Sequence, residues 1–238
     1  KMKKLISVIS AAIFVLAMAS GCGNSDTDFE LETEKPVTNV KTDKNDDSDK
    51  KGDVNDLGEL TDETIDAVIT LTNGEEIELE LYPDVAPKTV ANFIKNVQEG
   101  FYSGTIFHRA IEGFVIQGGG YDTNYELKSV SETVEGEFES NGIENDLSHV
   151  RGVISMARTN EPNSATTQFF IVQEDSTYLD GEYAAFGKVT SGMDVVDEIA
   201  EAPKMADPPS GMFESLPEEQ FVIDSITILS AADEKDME

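Results

Sequence analysis

The chain has 238 residues, of which 39% are hydrophobic and 27% charged, a balance too apolar for a wholly disordered protein. This length allows one folded domain with appendages. A net charge of −31, from 17 basic and 48 acidic residues, argues against nucleic acid as a partner and against adsorption of the domain on anionic lipid, because the surface repels phosphate groups. The charge otherwise indicates a soluble acidic surface and favours a monomer.

The first 22 residues have the pattern of an export signal. Lysines near the start precede an apolar run over residues 5–19, and small residues lead up to Cys22. The run is shorter than the roughly 17–25 residues that a membrane-spanning helix needs. The end of the segment resembles the bacterial lipobox, in which the cysteine is acylated, although Ala19 stands where leucine is usual. The alternative is an ordinary signal peptide with a stray thiol.

The lipobox interpretation predicts an exported, extracytoplasmic protein, anchored to the cell membrane through lipidated Cys22. Since the chain has one cysteine, no intramolecular disulfide is expected. Residues 23–62 are poor in apolar side chains and predict a disordered acidic tether. A calcium-binding tract is the alternative, but the segment lacks the spacing of an EF-hand loop. The folded domain is expected over residues 63–230, followed by an acidic tail over 231–238.

The domain opens with the pattern of a β-hairpin and a helix. Alternating residues over 65–71 and 77–81 flank Asn73-Gly74, a strong two-residue turn signal. Apolar residues at helical spacing predict a helix over 86–99, with Pro87 in its first turn. Further strands are predicted at 150–157, 167–172, 184–189 and 222–229, and a second helix at 191–200 with Ser191 as its N-cap. Eight or so short strands with two helices are typical of an antiparallel barrel or a sandwich, which periodicity does not separate.

Two stretches combine polar side chains with aromatic ones. Residues 107–120 read FHRAIEGFVIQGGG, and residues 155–172 read SMARTNEPNSATTQFFIV. In the first, Arg109 and Gln117 flank Phe114, and a bulge near Gly113 is expected to turn Phe114 towards Arg109. In the second, Gln168 stands beside two phenylalanines. An apolar floor with a guanidinium and an amide at its edge suits a small ring attached to a peptide backbone.

These two stretches, together with YLDGEYAAFGKV at 178–189, resemble the cyclophilins, which are peptidyl-prolyl cis–trans isomerases. The resemblance extends over residues 64–230. It implies a mainly β fold, a closed eight-stranded antiparallel β-barrel with a helix covering each open end. It also implies an isomerase that needs no cofactor or metal and acts on proline-containing peptides. With the export signal, its substrates would include unfolded exported proteins.

The resemblance also implies roles for individual residues. Arg109 would be the catalytic arginine, donating to the proline nitrogen as it becomes pyramidal, with Phe114 and Gln117 beside it. The implied substrate-binding residues are Val115, Ala157, Thr159, Gln168, Phe170, Tyr178, Leu179 and Tyr183. Taken by themselves, the residues leave alternatives open: Arg109 could form a surface ion pair, and the apolar members could be ordinary core.

Tyr178 stands where many cyclophilins have tryptophan, and Tyr183 where a pocket histidine is common. A phenol also donates a hydrogen bond. His108 is expected to be a hydrogen-bonded structural histidine, since no Cys-His cluster accompanies it. The competing functions are a proline-peptide binding module or holdase without turnover, and a tethered scaffold. Arg109 favours the enzyme, because binding a proline ring needs the apolar floor but not the guanidinium.

Overall fold

The computed structural model describes residues 64–128, 130–209 and 211–229. They form one eight-stranded sheet and two α-helices. The strands are β1 (Ile65–Leu71), β2 (Glu76–Leu81), β3 (Arg109–Ile111), β4 (Val115–Gly118), β5 (Val153–Met156), β6 (Phe169–Val172), β7 (Ala185–Ser191) and β8 (Ile223–Ile228). The helices are α1 (Pro87–Gln98) and α2 (Met193–Glu201). The predicted signal with Cys22, the tether and the acidic tail lie outside the described residues. No helix in these ranges is long and apolar enough to cross a membrane.

The sheet is antiparallel throughout, in the order β3-β4-β6-β5-β7-β2-β1-β8. This confirms the predicted eight antiparallel strands with two helices. A fully closed barrel is not seen, because no strand ladder joins β3 to β8 within the described residues. The segments that precede these two strands are linked by backbone hydrogen bonds, such as Phe107 N–H to Phe221 O at 3.0 Å. The described sheet is therefore a curled half-barrel.

The main hydrophobic core lies on the inner face of the sheet. Helix α1 places Phe93 at its centre, with ring centroids 5.3 Å from Tyr102, 5.8 Å from Phe169 and 5.4 Å from Phe186. Helix α2 adds buried Val196 and other apolar residues to the same cluster. Truncation of a buried phenylalanine of this kind to alanine costs about 3–5 kcal/mol. The apolar spacing that predicted both helices therefore marks their core-facing sides.

Helix α1 is capped by a residue distant in sequence. Ala86, which precedes it, has no side chain that can cap. The buried carboxylate of Glu137 instead accepts hydrogen bonds from Lys88 N–H at 3.0 Å, Thr89 N–H at 2.8 Å and the Thr89 hydroxyl at 2.7 Å. These contacts satisfy donors that a helix N-terminus leaves unpaired, and a negative charge is favourable there.

The start of helix α2 differs from the prediction. Ser191 was expected to cap it, but Ser191 is the last residue of β7, where it pairs with Glu78. Gly192 precedes the helix with a φ of 86°, and the helix has no side-chain cap. The strand is longer than its pattern indicates because pairing with β2 continues to its end, and a left-handed glycine then turns the chain into the helix.

Candidate active site

One row of side chains crosses five adjacent strands on the outer face of the sheet. The strand register places Arg109 opposite Gln117, Gln117 opposite Phe170, Phe170 opposite Ser155, and Ser155 opposite Ala185. Residues directly opposite one another in an antiparallel pair share a face and have Cβ atoms about 5 Å apart. The register therefore brings the polar residues of the first stretch next to the aromatic residue of the second.

Two amides connect the arginine to the neighbouring strand. Arg109 Nη1 donates to Gln117 Oε1 at 3.3 Å, and Gln117 Nε2 donates to Gln168 Oε1 at 3.0 Å. Gly120 leaves room for this arrangement, because a Cβ built there would lie 2.4 Å from the Gln168 side chain. The third glycine of the GGG run is thus required by close packing beside the site.

The Arg109 guanidinium lies between two aromatic rings. Its Cζ is 5.7 Å from the ring centroid of Phe114 and 5.7 Å from that of Phe213. Such cation–π contacts are worth about 0.5–1 kcal/mol at exposed sites and more when desolvated. Burial lowers the pKa of Arg109, and the nearby phenols of Tyr183 and Tyr178 oppose this shift. The group still carries its charge at neutral pH, because an arginine is effectively never deprotonated in a protein.

The chain's three arginines have different surroundings. Arg151 forms an ion pair with Asp197, and Arg158 with Glu182. Within the described residues, Arg109 has no carboxylate within ion-pair distance. This environment does not fit the surface ion pair considered as the alternative for Arg109.

Phe114 is held by a tight turn between β3 and β4. Gly113 has a φ of 74°, and Phe114 N–H donates to Ile111 O at 3.1 Å. The expected bulge is therefore a turn that joins two paired strands. The turn directs the Phe114 ring towards Arg109 and against Tyr178, whose ring is stacked on it at 5.9 Å and is 70% exposed. Tyr178 forms an aromatic wall open to solvent.

A second, smaller hydrophobic cluster forms the floor next to this wall. Its buried members on the outer face of the sheet are Val115, Val153, Phe170, Val172, Leu179 and Ala185. Tyr183 meets Phe170 edge-to-face at 5.6 Å, and Ala157 packs against the cluster while its N–H donates to Gln168 O at 2.9 Å.

The predicted site residues therefore come together, with Thr159 as the exception. Its N–H and hydroxyl both donate to Ser164 Oγ, at 2.9 and 2.8 Å, within its own exposed loop. No hydrogen bond among the described residues joins Thr159 to Arg109, Gln117 or Gln168.

A hydrogen-bonded chain runs from exposed Asp180 through buried His149 to buried Ser155, next to Phe170. The His149 ring lies 5.9 Å from Phe170 with an interplanar angle of 19°. Its Nδ1 is 2.9 Å from Asp180 Oδ1, and its Nε2 is 3.1 Å from Ser155 Oγ. Burial lowers the pKa of His149, so the ring is neutral at pH 7, donating to Asp180 and accepting from the hydroxyl. Ser155 is completely buried, which makes it a support for the floor and not an accessible nucleophile.

The His108 ring, next to Arg109 in the chain, packs against two aromatic rings. Its centroid is 4.7 Å from that of Tyr121 and 5.8 Å from that of Phe213. Neither ring nitrogen of His108 has a hydrogen-bond partner of good geometry among the described residues, so the expected hydrogen-bonded histidine is found with only weak polar contacts, to the Ile106 backbone and the Gln168 side chain. Burial lowers the pKa of His108 to about 4, outweighing the proximity of the Ile106 backbone and the Gln168 side chain. The imidazole is therefore neutral and packs as a flat, largely apolar group. The described residues contain no cluster of His, Cys, Asp or Glu suited to a metal ion.

Three residues near the site were not predicted from the sequence. Phe213 comes from the loop at 203–217, whose composition gives no periodic signal. The Arg158 guanidinium carbon Cζ lies 4.8 Å from the ring centroid of Tyr183 and 4.9 Å from that of Phe138. His149 was visible as one of only two histidines in the chain, but its partners were not.

Comparison with known proteins identifies the family. The family described as "Cyclophilin type peptidyl-prolyl cis-trans isomerase/CLD" matches residues 67–228. The chain belongs to the cyclophilin family. A peptidyl-prolyl cis-trans isomerase of Acinetobacter baylyi is 45% identical over 164 residues, covering 67% of this chain and 83% of the relative. Isomerase B of Escherichia coli is 42% identical over 165 residues, covering 66% and 96%.

Solved cyclophilins have the same fold. A cyclophilin-type isomerase from Cryptosporidium parvum aligns with a TM-score of 0.58 and 27% identity, covering 71% of this chain and 99% of that one. Its structure in the presence of the dipeptide Ala-Pro aligns with a TM-score of 0.56 and 28% identity, covering 69% and 99%. The cyclophilin described here is accordingly a peptidyl-prolyl cis–trans isomerase, and the row from Arg109 to Ala185 lies on the face where its three motifs meet.

Proposed function

We propose that Arg109 accelerates rotation about X–Pro bonds by donating a hydrogen bond to the proline nitrogen. The observation that carries this proposal is a partly buried guanidinium, oriented by Gln117, with no carboxylate partner among the described residues. An arginine neutralised by a carboxylate would have less to offer a substrate. One that faces an apolar floor without such a partner is available to a developing lone pair.

The reaction requires no covalent step. The peptide bond has a rotational barrier of about 18–20 kcal/mol because the nitrogen shares its lone pair with the carbonyl. As the bond rotates, the nitrogen becomes pyramidal and recovers that lone pair. A hydrogen bond from Arg109 is therefore stronger in the transition state than in the ground state, which is the condition for catalysis.

In this proposal Arg109 is one contributor among several. A rate increase of about five decades needs roughly 7 kcal/mol. One hydrogen bond involving a charged group supplies about 1.5–3 kcal/mol. The remainder would come from holding the peptide on one side of the bond while the other side rotates, a role suited to Gln117, Gln168 and the backbone at Ala157.

We assign the proline ring to the apolar floor. Phe114, Phe170 and Leu179 would contact the ring, with Val115 packed behind them. Tyr178 would cover one side, the Tyr183 phenol would donate to the peptide, and Thr159 stays a predicted residue of the outer rim. The related Cryptosporidium parvum protein, solved in the presence of Ala-Pro, supports a proline dipeptide as a ligand.

The test uses the full-length chain in non-ionic detergent and an Ala-Pro peptide whose cis and trans forms are followed by NMR exchange. We expect rapid exchange with the parent protein and a large loss with Arg109→Ala, while circular dichroism shows both to be folded. A folded parent that binds the peptide without accelerating exchange would instead indicate a proline-peptide binding module.

The N-terminal segment leads to a further proposal about where the enzyme acts. The basic and apolar pattern of residues 1–22 and the acidic stretch 23–62 support export and attachment through lipidated Cys22, with the domain held away from the membrane as a monomer. Its substrates would then be unfolded exported proteins. The intact mass of the protein purified from membranes tests this: acylated Cys22 at the new N-terminus is expected, and an unmodified cysteine or retained residues 1–21 would exclude the anchor.

A further inference from the structure

Gln173 occupies an unusual position at the end of β6. Only 7% of its surface is exposed, and both polar atoms of its side chain are hydrogen bonded. Oε1 accepts from Gly113 N–H at 2.7 Å, and Nε2 donates to Asp197 Oδ1 at 2.9 Å. Its backbone N–H also donates to Phe114 O at 2.8 Å. One residue thus contacts both the turn that carries Phe114 and helix α2.

One side of the turn that Gln173 contacts is open. A Cβ built on Gly113 would meet no atom within 4 Å, so the outer side of the turn faces open space. Its φ of 74° is a conformation that side-chain-bearing residues rarely adopt. The turn is not fixed by packing on this side. The β3–β4 pairing, the Tyr178 ring and four hydrogen bonds hold it instead: two with Gln173, one from Glu174 N–H to Phe114 O at 3.3 Å and one from Phe114 N–H to Ile111 O.

The other end of the connection is a bidentate ion pair. Arg151 donates two hydrogen bonds to Asp197, Nη1 to Oδ1 at 2.7 Å and Nη2 to Oδ2 at 2.6 Å. Arg151 Nη1 also donates to the backbone oxygen of Gln173 at 2.6 Å. Bidentate pairs of this kind fix geometry as well as charge. The side chain and the backbone of Gln173 are therefore both tied to the same Arg151–Asp197 pair.

We infer that Gln173 is a positioning residue for the isomerase, which acts through the Gly113–Phe114 turn on the ring that faces Arg109. This inference rests on the role proposed for Arg109. An amide suits this position, because its oxygen accepts from Gly113 N–H and its nitrogen adds a donor to Asp197, which already accepts two hydrogen bonds from Arg151. The Phe114 ring lies 5.7 Å from Arg109 Cζ, so a shift of the turn changes both the proline contact and the guanidinium environment.

The first test compares Gln173→Ala with the parent in the full-length chain, with Gln98→Ala as the matched control on an exposed amide. Displacement of a reacting group by about 1 Å can cost about a hundredfold in rate. We expect Gln173→Ala to lower kcat/KM for an Ala-Pro peptide by at least about tenfold, with a much smaller change in peptide Kd. Gln98→Ala should retain the parent value.

The second test uses Gln173→Glu, which keeps the shape and the acceptor but replaces the donor with a carboxylate facing Asp197. Arg151 is the cation at this position, and Glu174 and Asp175 add negative charge nearby. At about pH 7 the two carboxylates repel, whereas at lower pH a shared proton restores the donor. The activity of this variant relative to the parent at the same pH should therefore rise as the pH falls towards about 5.

The outcomes separate this inference from the proposed function. A parent protein without isomerase activity would reject the function itself. An active parent with equally active Gln173→Ala would overturn the positioning role alone. So would a loss of activity that only follows the unfolded fraction measured by circular dichroism, or a Gln173→Glu activity that does not recover at low pH.

Discussion

Gln117 lies directly opposite Arg109 in the β3–β4 pair, and its side-chain oxygen accepts a hydrogen bond from the guanidinium at 3.3 Å. The amide nitrogen of Gln117 is committed to Gln168, which fixes its orientation. The carbonyl oxygen therefore points at Arg109 without neutralising its charge. In the proposed mechanism, this relationship keeps the guanidinium in place yet available for a substrate.

Replacement of the neutral Gln117 amide by a carboxylate tests whether activity requires a guanidinium without an ion-pair partner. Gln117→Glu would give Arg109 the carboxylate partner that it lacks among the described residues. We expect kcat/KM for an Ala-Pro peptide to fall by at least about tenfold, because an ion-paired guanidinium donates less readily to the proline nitrogen. Gln98→Glu makes the same charge change on an exposed amide and should have no effect. Full activity of Gln117→Glu would contradict the account.

Phe213 is predicted to matter for both Arg109 and His108. Phe213→Ala removes one of the two rings that flank the guanidinium, and a loss of about 0.5–1 kcal/mol corresponds to a two- to fivefold lower kcat/KM. It also admits water to His108, so the pKa of that imidazole should rise from about 4 towards its ordinary value of 6.5. Phe213→Tyr, which keeps the ring, is the control. An NMR titration in which the His108 pKa stays near 4 would show that Phe213 does not shield it.

The free energy of unfolding should decrease as the pH falls from about 6.5 to about 4. Burial lowers the folded-state pKa of His108, so the unfolded chain takes up a proton in this interval and the folded protein does not. A shift from 6.5 to about 4 corresponds to roughly 3 kcal/mol. The lowered pKa of His149 acts in the same direction. Denaturant unfolding at a series of pH values should show a smaller slope for His108→Phe, and an unchanged slope would assign the pH dependence to other groups.

Removal of the buried loop carboxylate Glu137 is predicted to destabilise the protein. Glu137 is 2% exposed and accepts three hydrogen bonds at the start of helix α1. Glu137→Ala would leave buried donors without a partner, and we expect a loss of about 3 kcal/mol in the free energy of unfolding. Glu139→Ala, on an exposed neighbour, should change stability by less than about 0.5 kcal/mol. Equal effects of the two substitutions would show that the helix does not depend on this cap.

Local patterns predicted the elements whose signal repeats along the chain. The hairpin β1–β2 and helix α1 follow from alternating and helical apolar spacing, and both were found close to their predicted positions. The ends of strands that depend on pairing with a neighbouring strand could not be predicted from the local pattern. Strand β7 continues to Ser191 because β2 continues beside it, and β5 begins only at Val153 because Gly152 turns the chain with a φ of 91°.

The same distinction applies to the site. Arg109, Phe114 and Gln117 stand within one hairpin, so the motif that contains them also places them together. Phe213 reaches Arg109 from a loop about a hundred residues further on, and nothing in its local sequence marks this contact. Gln173 was similarly hidden, because its importance arises from a turn and a helix that meet only in the folded chain.

Separate measurement of binding and turnover for the parent, Arg109→Ala and Arg109→Lys tests the central claim most directly. NMR line shapes of a titrated Ala-Pro peptide report both the Kd and the rate of cis–trans exchange in the bound state. For Arg109→Ala we expect a Kd close to the parent's, since the apolar floor is intact, and a bound-state rate lower by about 10- to 150-fold, the equivalent of one charge-assisted hydrogen bond. Arg109→Lys should recover little, because an ammonium lacks the planar fork held by Gln117. A bound-state rate equal to the parent's, with only weaker binding, would contradict a role for Arg109 in the transition state.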